Sequence, residues 1–237
     1  PSGVINVIAA PTGSGKTEFF ITRTSKNKRV GVLAPFTAIT AQIYAKNEDM
    51  ELKTGIKAKD VVSMSQGVIA SFHSASQLLS MEHMDYLVID EIHELINYAG
   101  FTFGMINNMW NVVRELMDKF PNLKVIALTG TPQFIMKADF LPLRQVTVKV
   151  KNPKAKPSNL VISKSWTKDL NARDSFIYLY NTRRNGMSWA NKHDAAYIES
   201  GIKDTSPAYK AIVSGDMPEE RLFTSVLLAT GVSILDP

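Results

Sequence analysis

A chain of 237 residues, 45% hydrophobic and 21% charged, is long enough for two α/β units and apolar enough to bury a core in each. No apolar run reaches the roughly 18 residues that a membrane crossing needs and no basic-flanked apolar leader opens the chain, so the expectation is an intracellular, soluble protein without a membrane partner. The absence of cysteine excludes disulfides and thiolate metal sites, and a net charge of +5 leans toward a polyanionic partner.

The first predicted element is the apolar strand Val4 to Ala9, which runs into APTGSGKT at Ala10 to Thr17 and then into Glu18, Phe19, Phe20 and Ile21 at the start of a helix. Strand, glycine-rich loop and helix in this order fit the P-loop pattern, with Ala10 standing where the first glycine is usual. Glycines let successive backbone N–H groups turn toward phosphate oxygens, and the following helix directs its positive end at them. Thr12, Gly13, Ser14, Gly15, Lys16 and Thr17 are therefore the expected nucleotide-binding residues. Lys16 supplies a mobile cation and Thr17 a ligand for Mg²⁺. The nucleotide is a nucleoside triphosphate.

Lys26 to Arg29 reads as a solvated basic turn, Val30 to Pro35 as a second buried strand, and Thr37 as the start of a helix through Gln42 and Tyr44. Residues 46–59 are polar and charged and predict a helix end and a loop. Gly67 to Phe72 predicts a third strand, leading through His73 into a loop and helix. Tyr86 to Ile89 is a fourth strand ending in Asp90-Glu91-Ile92-His93. An apolar parallel strand carries its loop at the carboxyl end, where ligands of doubly wound sheets sit, so Asp90 would meet the Mg²⁺ held by Thr17 and Glu91 would face the attacking water. The four histidines, His73, His83, His93 and His193, show no ligand spacing.

Phe103 to Phe120 has apolar positions three and four apart and predicts an amphipathic helix. Lys124 to Leu128 predicts a fifth strand, ending in Thr129-Gly130-Thr131-Pro132. From Arg144 the pattern alternates polar and apolar, and the basic, proline-bearing stretch Asn152 to Pro157 follows. The expected organisation is a first domain at 1–143, a basic linker at 144–158 and a second domain at 159–237. In the second domain Phe176 to Tyr180, Ala211 to Ser214 and Val226 to Thr230 predict strands, and Asp194 to Ile198 predicts part of a helix.

The order of these segments resembles the superfamily 2 helicases, in the branch with a D-E-x-H box. Ala10 to Thr17 is similar to motif I, Leu33 to Thr37 to motif Ia, Ser71 to Ser74 to the motif Ib region, Asp90 to His93 to motif II and Thr129 to Pro132 to motif III. Tyr178 to Arg183 is similar to motif IV, and Leu228-Ala229-Thr230 with Gly231 to Ile234 to motif V. The resemblance implies two RecA-like P-loop domains with parallel sheets flanked by helices, the second truncated. It implies ATP and Mg²⁺ as cofactors, with Lys16, Asp90 and Glu91 catalytic, Thr17 and Asp90 on the metal, and His93, Thr129 and Thr131 coupling the nucleotide to the strand. Pro35, Thr37, Ser71, Thr182 and Thr230 are implied as contacts to single-stranded or partly duplex nucleic acid; this branch includes both DNA and RNA helicases, and the absence of a recognisable RNA-binding module leans the expectation to DNA. Two departures stand out: Thr230 is followed directly by Gly231, and Pro237 precedes any motif VI, so a chain ending there is expected to bind ATP and hydrolyse it poorly. The competing readings are a P-loop ATPase of another class and a helicase-like regulator that has lost hydrolysis.

Overall fold

Runs such as Val30 to Ala34 and Gly67 to Ser71, buried at every position, have no side to offer water and form strands only in a sheet covered on both faces. The computed structural model describes residues 3–11, 14–53, 67–97, 103–135, 143–147, 176–179, 183–198, 207–214 and 221–224. It divides into two compact units, Pro1–Lys154 and Ala155–Pro237.

The first unit carries β1 (Ile5–Ala9), β2 (Val30–Ala34), β3 (Glu51–Lys53), β4 (Gly67–Ser71), β5 (Tyr86–Ile89), β6 (Lys124–Thr129) and β7 (Leu143–Thr147). They form one sheet in the order β3-β4-β2-β5-β6-β1-β7, parallel at every pairing. Parallel neighbours require crossovers. These contain α1, a π-helical turn Glu18–Thr22 with an α-helical end Arg23–Ser25; α2 (Thr37–Ala45); a 3-10 segment Phe72–Ser80; α3 (Glu94–Asn97); α4 (Phe103–Lys119); and α5 (Pro132–Ile135). The buried stripe Met109, Trp110, Val113 and Leu116 of α4 packs with Phe72, Leu78, Leu87 and Ile89 in the core.

Register decides what the sheet brings together. β6 lies between β5 and β1, with Ala9 opposite Thr129 and Ile89 opposite Ala127. The loop after β1 and the acids after β5 thus emerge on either side of the end of β6.

The second unit contains β8 (Phe176–Leu179), α6 (Arg183–Lys192), β9 (Ala196–Ile198), α7 (Pro207–Ser214) and β10 (Arg221–Thr224), its parallel sheet ordered β8-β10-β9. Ala190 and Phe223 are buried at its centre, with Trp189, Ala195 and Tyr197 against them.

Several expectations need correction. Arg144 to Thr147, assigned to the linker, belong to β7, an edge strand paired to β1 alone, whose exposed Arg144 and Val146 leave it without the unbroken apolar run of a central strand. Glu51–Lys53, read as loop, is the opposite edge strand β3. Residues 196–198 are strand because α6 ends before them: Asp194 takes a left-handed φ of 49° and Ala195 N donates to Ala190 O at 3.0 Å, a helix stop usually made with glycine. Residues 211–214, read as strand, end α7, whose first residue Pro207 suits a helix start. The strand expected at 226–230 lies outside the described residues.

Candidate active site

The loop after β1 is shaped before any ligand arrives. Gly15 adopts φ 79°, which a residue with a Cβ reaches only under strain, and Phe19 N donates to Gly15 O at 2.9 Å as the helix begins. Lys16, expected as a mobile cation, folds its ammonium back to donate to Ala10 O at 2.8 Å and Pro11 O at 3.0 Å, leaving the residue 9% exposed. Burial pulls Lys16 below the usual lysine range, against the opposing charges of Glu91 and Asp90. Ser14 Oγ is buried with no hydrogen-bond partner among the described residues. An orphaned donor in a loop of this shape fits an anion.

Thr17 stands at the helix start yet makes no capping bond; its hydroxyl donates across the sheet to Asp90 Oδ2 at 3.1 Å. Two oxygens on one octahedral Mg²⁺ sit roughly 2.9 Å apart when each is about 2.05 Å from the ion, so this pair fits one edge of its shell. Among the described residues no group of three or more His, Cys, Asp or Glu is placed to hold a metal ion. Burial pushes Asp90 above the usual carboxylate range, partly offset by the bonds from Thr17 and Glu91 N and by Lys16 and His93.

Glu91 follows with φ 46°, a left-handed conformation that costs a non-glycine residue of order 1 kcal/mol or more. Its turn is held by Glu91 N to Asp90 Oδ1 at 3.1 Å, Ile92 N to Leu128 O at 3.0 Å and Glu94 N to Glu91 O at 2.9 Å. Burial, and then the neighbouring charge of Asp90, raise the Glu91 carboxyl above its usual range, with His93 and Lys16 pulling it back. His93 Nδ1 lies 3.3 Å from Glu91 Oε2 and 3.0 Å from Thr129 Oγ1. Burial works against the charged imidazole, yet the hydrogen bond to Glu94 and the charges of Glu91 and Glu94 outweigh it and hold His93 above the usual histidine range. Thr129 Oγ1 also accepts from Thr131 N at 3.0 Å, while Thr131 Oγ1 is buried without a partner among the described residues.

The fold therefore gathers Ser14, Gly15, Lys16, Thr17, Asp90, Glu91, His93, Thr129 and Thr131 at one end of the first sheet. Of the residues expected on nucleic acid, Pro35 is buried beyond the end of β2 and Thr37 is exposed at the start of α2, while Ser71 is buried and its hydroxyl donates to Ser74 Oγ at 3.3 Å. Thr12, Gly13, Thr182 and Thr230 lie outside the described residues. Glu94 was missed. No local pattern signalled it, because His93 and Glu94 both lie between the buried Ile92 and Leu95 and only packing decides that Glu94 is buried as fully as they are.

Residues 4–134 match the protein family described as type III restriction enzyme, res subunit. No curated protein matches in sequence. Among solved structures, S. cerevisiae Dbp5 bound to RNA and ADP BeF3 is similar with a TM-score of 0.71 at 13% identity, covering 98% of this chain and 68% of that one. A single-substitution variant of the same protein, also with RNA and ADP BeF3, gives 0.69 at 12% identity with the same coverage. At these identities the likeness carries the fold, a parallel-sheet α/β architecture of RecA-like type.

Proposed function

We propose a function from one premise: this chain belongs to the protein family described as type III restriction enzyme, res subunit. It is an ATP-dependent motor on nucleic acid, a helicase or translocase of the D-E-x-H branch. The observation that carries this reading is the Thr17 to Asp90 hydrogen bond of 3.1 Å, which joins the ends of β1 and β5 with Lys16 and Glu91 beside it.

In this reading the backbone N–H groups and hydroxyls of residues 12–17 bind the phosphates, and Lys16 exchanges the carbonyls of Ala10 and Pro11 for the β- and γ-phosphates. Mg²⁺, held through Thr17 and Asp90, supplies neutralisation of charge on the phosphate oxygens. Glu91 orients the attacking water and takes its proton; a carboxyl raised by burial is closer to the range a base needs near neutral pH. Thr129 and Thr131 relay the state of the site through His93 to the strand. Thr37, with Pro35 and Ser71 at the ends of the paired strands β2 and β4, contacts phosphates of the nucleic acid, and Thr182 and Thr230 are the candidate contacts of the second unit; phosphate contacts make binding sequence-independent and salt-sensitive. The restriction-enzyme description of the family favours DNA, and the RNA in the Dbp5 structures makes RNA the comparison.

The test is ATP hydrolysis without nucleic acid, with single-stranded DNA and with single-stranded RNA, at low and high salt. Stimulation by DNA that fades with salt is expected. ATP turnover indifferent to either strand would point to a P-loop ATPase of another class, and Mg-ATP binding without turnover in any condition to a regulator.

A further inference from the structure

Glu94 is a buried acid beside the proposed catalytic pair that binds neither phosphate nor metal in the reading above. It opens α3 with 4% of its surface exposed, and a carboxylate is taken out of water only where a partner offsets the loss. One such partner is His93: Glu94 Oε1 lies 3.2 Å from His93 Nε2, with the side chains 12% (His93) and 6% (Glu94) exposed. The opposite side of the same ring is also occupied, Nδ1 lying 3.0 Å from Thr129 Oγ1 and 3.3 Å from Glu91 Oε2.

We propose that Glu94 is a positioning residue, which accepts the Nε2–H of His93 and so fixes the ring with Nδ1 facing Thr129 and Glu91 together. An imidazole has two unlike nitrogens, and which one addresses a partner is set by what the other is bound to. Glu91 has to serve both His93 and the water of the proposed reaction. If Glu91 alone held the ring, the ring would be released each time Glu91 turned to the water. Anchored by Glu94 on one side and Thr129 on the other, His93 keeps its place while Glu91 moves. The backbone at 94 contributes separately, through Glu94 N to Glu91 O at 2.9 Å, and that bond survives substitution of the side chain. Loss of the carboxylate therefore isolates the effect on the ring from the effect on the turn.

The inference rests on the proposed strand-stimulated hydrolysis, and two measurements keep the two apart. In strand-stimulated ATPase assays, Glu94→Ala is expected to lower kcat about 10- to 100-fold, the usual range for loss of an orienting carboxylate, with the KM for ATP changed less than about 3-fold. Glu94→Gln, which keeps an acceptor oxygen, restores most of the rate. His93→Ala combined with Glu94→Ala is no slower than His93→Ala alone, because the two act as one unit. Full activity in Glu94→Ala, equal damage in Glu94→Gln, or multiplying effects in the double variant would each overturn the proposal. Independently of any turnover, ¹⁵N spectra of histidine-labelled protein should give His93 a hydrogen-bonded Nε2–H in the wild type and in Glu94→Gln. A wild-type His93 with Nε2 unprotonated would overturn the assignment even if the ATPase reading stands or if Glu94→Ala does not fold. Wild-type protein without stimulated hydrolysis but with that Nε2–H would count against the motor and not against the positioning.

Discussion

The two ends of the first sheet treat charge in opposite ways. At the carboxyl ends of β1, β5 and β6 the chain buries Lys16 against backbone carbonyls, Asp90 against Thr17, and Glu91 and Glu94 on either side of His93, and it forces Glu91 into a left-handed turn. At the amino ends of neighbouring strands the charges stay at the rim. Asp85 accepts from Arg29 N at 3.0 Å and from an exposed His83, and the Lys124 ammonium lies 5.3 Å from the centre of the Tyr86 ring. The backbone there is tied conventionally, with Asp85 N donating to Arg29 O at 2.9 Å and Lys124 N to Asp85 O at 3.1 Å. Desolvated charges weaken a fold unless each is paired, and a strained turn weakens it further. An end built this way fits the binding role proposed for it. The other end only closes the sheet, so substitutions should cost function at the first and stability at the second.

The largest expected effect is Lys16→Ala, which should lower ATP turnover by about 10²-fold or more while the far-UV circular dichroism stays unchanged; substantial remaining hydrolysis would break the P-loop assignment. Next comes Glu91→Gln. It should bind Mg-ATP with near wild-type affinity in a fluorescent-nucleotide titration and turn it over about 10²- to 10⁴-fold more slowly, the range for loss of a positioned base; loss of binding instead would exchange the roles of Asp90 and Glu91. Glu91→Gly sharpens the contrast, because removing the Cβ relieves the turn at φ 46°. It should raise unfolding stability by about 1 kcal/mol in a denaturant titration, with turnover lost, and a destabilised variant would mean that the His93 contact outweighs the strain.

The smallest effect belongs to the other end. Although burial works in the opposite direction, the backbone bond from Arg29 and then His83 and Lys28 hold the Asp85 carboxyl below its usual range. A folded-state value below the unfolded one gives stability that is present above the ordinary carboxylate range and is lost as the pH falls through the lowered value. Asp85→Asn should therefore lower the melting temperature slightly at neutral pH, by less and less as the pH falls through that window, and leave ATP turnover unaltered. An undiminished difference at low pH would assign the effect to geometry and not to charge.

Part of this contrast was legible in the residues. Strands that are covered on both faces announce themselves as unbroken apolar runs, which is why β1, β2, β4, β5 and β6 could be bounded closely. Edge strands do not: β3 carries Glu51 and Lys53, β7 carries Arg144 and Gln145, and each resembles a loop or linker until its neighbour is known. The short segments at 196–198 and 211–214 defeated periodicity for another reason, since a run of three or four apolar residues fits a strand and a buried helix turn equally well. Within the site, loop and acids could be named from their spacing, but the inward fold of Lys16 and the contact of Glu94 with His93 could not. Both are local contacts, set by side-chain conformations that residue type and spacing do not encode.

By itself the sequence determined which residues are the candidates for the chemistry and in what order they come along the chain: a glycine-bearing loop with Lys16 and Thr17, an acid pair at Asp90 and Glu91, and threonines at 129 and 131. Local chemistry suffices for that, because a phosphate loop needs glycine and cation at fixed spacing and a buried strand needs apolar residues throughout. Only the tertiary structure decided that they meet. Thr17 and Asp90 are 73 positions apart and come within 3.1 Å because β6, from a third part of the chain, pairs with β1 on one side and β5 on the other. Strand order is fixed by how crossovers cover both faces of a whole sheet, a property that no short segment carries.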